Sequence, residues 1–160
     1  MSHDLLPLIL EGSLETLYMV GFSSTVAALV GLPMGVVLSV TAAGCILENK
    51  LLNATLSFFV NIGRSVPFII LMVAIIPLTR VIAGTSIGTN AAVVPLSVAA
   101  IPFVARVVES ALREIDQGIV EAALSMGATP LQIIYKVLLP EALPAIVAGL
   151  TLTLINLISS

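Results

Sequence analysis

Residues 16–47 carry no charged side chain, and that run constrains the fold more than any other feature of the chain. A helix of about 20 mostly apolar residues crosses the roughly 30 Å of hydrocarbon in a bilayer. Two further uncharged stretches, 81–105 and 142–160, reach or nearly reach that length. Composition agrees: 59% of the 160 residues are hydrophobic and 9% are charged, against roughly 45–50% and about 25% in soluble domains. The chain reads as an all-α, polytopic helical membrane protein. A signal peptide does not fit, because no Lys or Arg precedes Lys50 and the first apolar run is too long for an h-region.

A further span lies between Arg64 and Arg80, although only 15 uncharged residues, SVPFIILMVAIIPLT, separate them. A span over 62–82 sets each arginine about 12 Å from its centre, at about 1.5 Å per residue. Both guanidinium groups then snorkel to opposite interfaces and avoid the cost of about 2.5–3.5 kcal/mol for a charge at a helix centre. About four spans are expected, over 17–41, 62–82, 90–112 and 142–160, the last cut by the chain end. Lys50, Arg64, Arg106, Arg113 and Lys136 fall in or near the loops of one side and Arg80 by the other. Cytoplasmic loops carry the excess of Lys and Arg, so the 113–141 loop is expected in the cytoplasm and the N-terminus outside.

That loop is patterned like part of a soluble protein. Asp116 can cap a helix running from about Gln117 to Met126, and Gly127 stands where the left-handed residue that ends a helix belongs. Thr129, Pro130 and Gln132 then open a second helix with a capping box and a proline in its first turn. Lys136 suits the dipole of its last turn, and Pro140 is expected to stop it. The prediction is a glycine hinge between two helices, neither long enough to cross a membrane. Ala122 and Ala123 beside Glu121 let another surface approach closely. Ile119, Met126, Leu131, Ile134 and Leu138 add apolar surface. Two roles are open for it: a binding site rimmed by charge, or packing on the membrane interface or beneath the spans.

At these residues the chain resembles the permease subunits of ABC importers. Their cytoplasmic loop carries E-A-A, three residues, G, nine residues, then an aliphatic residue, any residue, L and P. Here Glu121, Ala122, Ala123, Gly127, Val137, Leu139 and Pro140 stand in that register. The resemblance implies that residues 116–140 form coupling helices, seated in a groove on a partner ATPase, within a single transmembrane permease domain covering 1–160. The segments NIGRSVPFIILMVAIIPLTRVIAGTSIG (61–88) and AAVVPLSVAAIPFVARVVESALREI (91–115) are similar to the methionine importer permeases. That likeness, from about Glu11 onward, implies a permease homodimer, an ATPase dimer that binds ATP and Mg, and a substrate-binding lipoprotein delivering D- or L-methionine. Permeases of this kind continue with the rest of a fourth span, a glycine-rich loop and a fifth span. The chain is therefore expected to be incomplete at its C-terminus.

The remaining features leave more than one reading. Gly31 and Gly35 form a GxxxG pair, which serves either close packing or dimerisation. Pro33, Pro67, Pro95 and Pro102 can kink spans or pack within them. Arg64 and Arg80 are read as interface anchors; alternatively Asn61, Arg64 and Ser65 form a polar cluster on the substrate pathway, with Arg64 meeting a substrate carboxylate. Cys45 is single, so no intrachain disulfide forms, and His3 is expected to be neither ligand nor base. Lys50 and Lys136, the only lysines, follow Asn49 and Tyr135, so no G-K-[ST] phosphate loop exists and no cofactor is expected in this chain. No carboxylate lies in the first or second span, in the uncharged part of the third, or in the fourth, whereas ion-coupled transporters place such groups at membrane depth. No metal spacing, nucleophile–base pair or nucleic-acid footprint occurs, and the net charge is −3. The expected function is a methionine importer permease working with a separate ATPase. The alternatives are the same kind of permease for another amino acid or small polar solute, or a non-transporting scaffold or channel.

Overall fold

The computed structural model describes residues 4–42, 44–85 and 87–159; His3 and Ser160 lie outside the described residues. Among the described residues eight helices follow in order: α1 (Leu5–Val40), α2 (Lys50–Ser65), α3 (Phe68–Ala74), α4 (Ile76–Ala83), α5 (Thr89–Arg113), α6 (Gln117–Ser125), α7 (Pro130–Ile133) and α8 (Leu139–Ser159). A π turn, Ile134–Leu138, joins α7 to α8. Among the described residues no strand occurs, as the sequence predicts.

Among the described residues, three helical runs can cross a membrane by length and composition, Leu5–Val40, Thr89–Arg113 and Pro130–Asn156, and the bent pair Lys50–Ser65 with Phe68–Ala74 can make a fourth. The first begins twelve residues before the expected start at 17. Glu11 and Glu15 are good helix formers, and Pro7 falls in the first turn, where no intrahelical N–H bond is needed. The expected single span over 62–82 is broken instead. Helix α2 starts at Lys50, where the Asn49 side chain accepts a bond from the Leu52 N–H at 3.1 Å. It ends at Val66, which is extended (φ −78°, ψ 126°) because Pro67 disfavours the helical conformation of the residue before it. The axes of α2 and α3 meet at 109°. A second break at Ile75 precedes α4, which has Pro77 in its first turn.

Pro140 does not stop the second loop helix. The Leu139 N–H reaches back five residues to the Ile134 carbonyl, and this wider turn accommodates a ring that would clash with a carbonyl one α-turn behind. The segment from Pro130 is thus the start of a long helix, not a short separate piece.

Helix α5 is the hub. Its Val104, Ala105 and Val108 are fully or almost fully buried, as are Ala27 and Leu38 of α1 and Val60 of α2. Lipid chains are as apolar as leucine, so close van der Waals packing holds such helices together. Small residues permit it: Gly31 and Gly35 of α1 lie against Val104, Ala105 and Val108, Gly63 of α2 against Pro102, and Gly149 of α8 against Val107. The GxxxG pair therefore packs within this chain. Pro95 and Pro102 are buried in α5, on the face seven residues apart implies. Away from the hub, Leu6, Leu10, Leu14 and Leu17 of α1 are all more than half exposed, a surface suited to lipid.

Candidate functional site

The hinge between α6 and α7 is built by local bonds. The Asp116 carboxylate accepts from the Gly118 N–H at 2.9 Å and caps α6. At the other end the Ala128 N–H reaches the Ala123 carbonyl at 3.1 Å and the Gly127 N–H the Leu124 carbonyl at 3.0 Å. This is the Schellman pair of bonds, and it needs a left-handed residue at its turn; Gly127 supplies φ +80°. The chain restarts two residues later, where the Thr129 hydroxyl accepts from the Gln132 N–H and the Gln132 side chain accepts from the Thr129 N–H.

The motif residues divide between two surfaces. Glu121, Ala122, Gly127 and Pro140 are exposed, whereas Ala123 is buried and Val137 and Leu139 are half-buried against the core. Ala123 is thus not available to a partner, as its neighbour Ala122 is, because the Schellman turn folds Ala128 and the start of α7 over it. Ile134 and Leu138, expected to add apolar surface, are buried too. These two residues take the packing role that the sequence left open. Ile119, Leu124, Met126, Leu131 and Tyr135 remain exposed, Met126 to 84%. Glu121 and Leu124 also rim a cavity of about 310 Å³ shared with Val40, Cys45 and Ile46 beyond the end of α1.

The proposed pathway residues Asn61, Arg64 and Ser65 do not form one cluster. The Ser65 hydroxyl donates to the Asn61 carbonyl of its own helix at 2.7 Å. The Asn61 side chain accepts from the Arg106 guanidinium of α5 at 2.7 Å. Arg106 also pairs with Glu109, whose other oxygen lies 3.3 Å from Arg113. Glu109 is 3% exposed; two arginines three and four residues away on the same helix satisfy it. The spacing of Arg106 and Arg113 three and four residues from Glu109 is the signal in the sequence that marks this group. Arg64 points elsewhere, with its guanidinium carbon 5.5 Å from the centroid of the Phe103 ring. Phe103 lies three residues before Arg106 in α5. Among the described residues no group of three His, Cys, Asp or Glu could hold a metal ion.

Residues 35–160 match the family described as binding-protein-dependent transport system inner membrane component. The chain is 59% identical over 152 residues to the probable D-methionine transport system permease protein MetI of Vibrio cholerae, covering 95% of this chain and 68% of that protein. It is 55% identical over 158 residues to the D-methionine transport system permease protein MetI of Escherichia coli K12, covering 99% and 73%. Its fold superposes with a TM-score of 0.96, at 55% identity, on a chain from the inward-facing MetNI methionine ABC transporter, covering 99% of this chain and 74% of that one.

Proposed function

This chain belongs to the family of binding-protein-dependent transport system inner membrane components, and we propose that it is the membrane-spanning permease subunit of an ATP-driven methionine importer. The observation that carries the substrate is the likeness to methionine permeases along almost the whole chain, in sequence and in fold. A second copy of the permease, a dimeric ATPase, a substrate-binding lipoprotein and the bilayer itself are its partners. ATP and Mg are bound by the ATPase, since the chain has no G-K-[ST] run. Lys50, Arg106, Arg113 and Lys136 lie toward the α6 end and Arg80 toward the other, which supports a cytoplasmic α6 and an N-terminus outside.

In this reading the α6–α7 hinge, residues 116–140, is the coupling site. Glu121, Ala122 and Gly127, with the exposed Met126, face the ATPase. Ala123, Val137 and Leu139 lock the hinge onto the core, and Pro140 sits where the π turn leads into α8. Because Pro130 begins a run that continues into α8, a push on the hinge is transmitted directly along a membrane-crossing helix. Closure of the ATPase around ATP then moves α8 against α5 and exposes the pathway alternately to the two sides.

The test is uptake of labelled L-methionine into liposomes holding the permease with its ATPase and binding protein. Saturable, ATP-dependent uptake is expected. A complex that hydrolyses ATP on addition of the binding protein yet imports no methionine discards the substrate and keeps the permease.

A further inference from the structure

Among the described residues no carboxylate pairs with Arg64, whereas Arg106 and Arg113 both bond Glu109. The Arg64 guanidinium lies over Phe103, three residues before Arg106 in α5. Arg64 is exposed in the single chain, and an arginine of a membrane-spanning bundle faces its interior or a water-filled path and pairs with a partner. The ring face holds the cation by cation–π attraction. It offers no acceptor for the five guanidinium N–H donors.

Two cavities meet at this pair. One, of about 430 Å³, is walled by Val66, Phe68, Leu96, Ala99 and Ala100, with Thr153, Asn156 and Ser159 of α8 opposite. The other, of about 490 Å³, runs toward the α6 end past Val107, Ser110, Glu114 and Gly149. Arg64 and Phe103 line both. Leu96, Ala99, Phe103, Val107, Ser110 and Glu114 recur every three or four residues, which is one face of α5. The cavities are therefore successive stretches of one groove between α5 and α8, divided by Arg64 on Phe103.

We propose that Arg64, seated on Phe103, binds the carboxylate of a small amino acid with an apolar side chain during translocation, while the apolar wall of the first cavity takes that side chain. This rests on the reading of the chain as the permease of a methionine importer. The planar guanidinium fork fits a carboxylate through two parallel bonds, and the cavity volume suits a solute of that size. Arg106, held by Glu109 and Asn61, does not compete for the carboxylate. A lipid tail or an apolar helix in the groove would bring the guanidinium no acceptor, whereas a solute carboxylate brings two oxygens.

The test uses the full importer in liposomes. R64Q is expected to lower methionine uptake at least tenfold while binding-protein-stimulated ATP hydrolysis persists, and R64K, which keeps the charge but loses the fork, to fall between. Wild-type uptake alongside equal rate and KM in R64Q overturns the site alone; a wild-type complex that imports no methionine overturns the substrate reading and the site with it. Because R64Q can fail to assemble, the wild-type complex is also read by solid-state NMR with [1-13C]methionine and permease labelled with 15N in its arginines. A carboxylate–guanidinium contact that R64K abolishes is expected, and a spectrum without one overturns the site.

Discussion

Gly35 of α1 faces the backbone carbonyl of Ala105 in α5 so closely that a Cβ built on it would stand 2.6 Å from that oxygen. The same Cβ would lie 2.6 Å from Val108 Cβ. A side chain can rotate away, but a helical carbonyl moves only if its helix does. The glycine therefore sets the distance between two membrane-crossing helices.

Gly35→Ala is expected to destabilise the fold by about 1–3 kcal/mol, the usual range for overpacking. Gly12→Ala, where nothing lies within 4 Å, should leave stability unchanged or raise it by up to about 1 kcal/mol through helix propensity. Thermal unfolding of both variants in detergent decides this. Equal unfolding temperatures would show that the α1–α5 approach is not limiting.

At Gly127 the constraint is conformational, since no atom lies within 4 Å of a built Cβ but φ is +80°. Gly127→Ala should cost about 1–2 kcal/mol in the hinge. Gly127→Pro cannot take a positive φ and also lacks the N–H that bonds Leu124. It is expected to insert in the membrane normally yet hydrolyse ATP without importing substrate. Coupled uptake by G127P at the wild-type rate sinks the hinge mechanism.

Thr129→Ala removes the hydroxyl of the capping box and should cost about 1 kcal/mol, with Thr129→Ser restoring most of it. Hydrogen exchange at the Gln132 amide is the direct readout. It should quicken in T129A and stay slow in T129S.

The Asn61–Arg106 bond joins α2 to α5 beside the buried Glu109. Asn61→Ala should cost about 1 kcal/mol, because a charged donor loses its acceptor at an exposed position. Glu109→Gln should cost more, about 1–3 kcal/mol, reduced because the Arg113 side chain is 56% exposed and partly screened. A double-mutant cycle over Asn61 and Arg106 is expected to give a coupling of at least about 0.5 kcal/mol. Strict additivity would mean that the bond does not tie the helices.

What the sequence by itself determined is what neighbours along the chain decide. The Asp116 cap, the left-handed Gly127 and the Thr129–Gln132 box each depend on atoms two to five residues apart, so residue type and spacing sufficed to place them. The apolar runs likewise placed α5 to within one residue at each end, and α8 without its continuation back to Pro130. Tertiary structure decided the rest, because a membrane helix is apolar all round and its pattern does not separate the side that meets lipid from the side that meets protein. Nothing local distinguishes Ala122, which is exposed, from Ala123, which is buried. The same holds for Gly35, whose partner lies on another helix, and for Asn61, whose acceptor oxygen meets a donor 45 residues away. Pro67 and Pro140 carry one local rule against helix continuation and had opposite outcomes. After Val66 the chain bends through 109°, whereas before Pro140 a π turn opens the ladder and the helix runs on. A proline's ring states that the regular bond must be lost; the packing around it determines whether the backbone breaks or widens to absorb that loss.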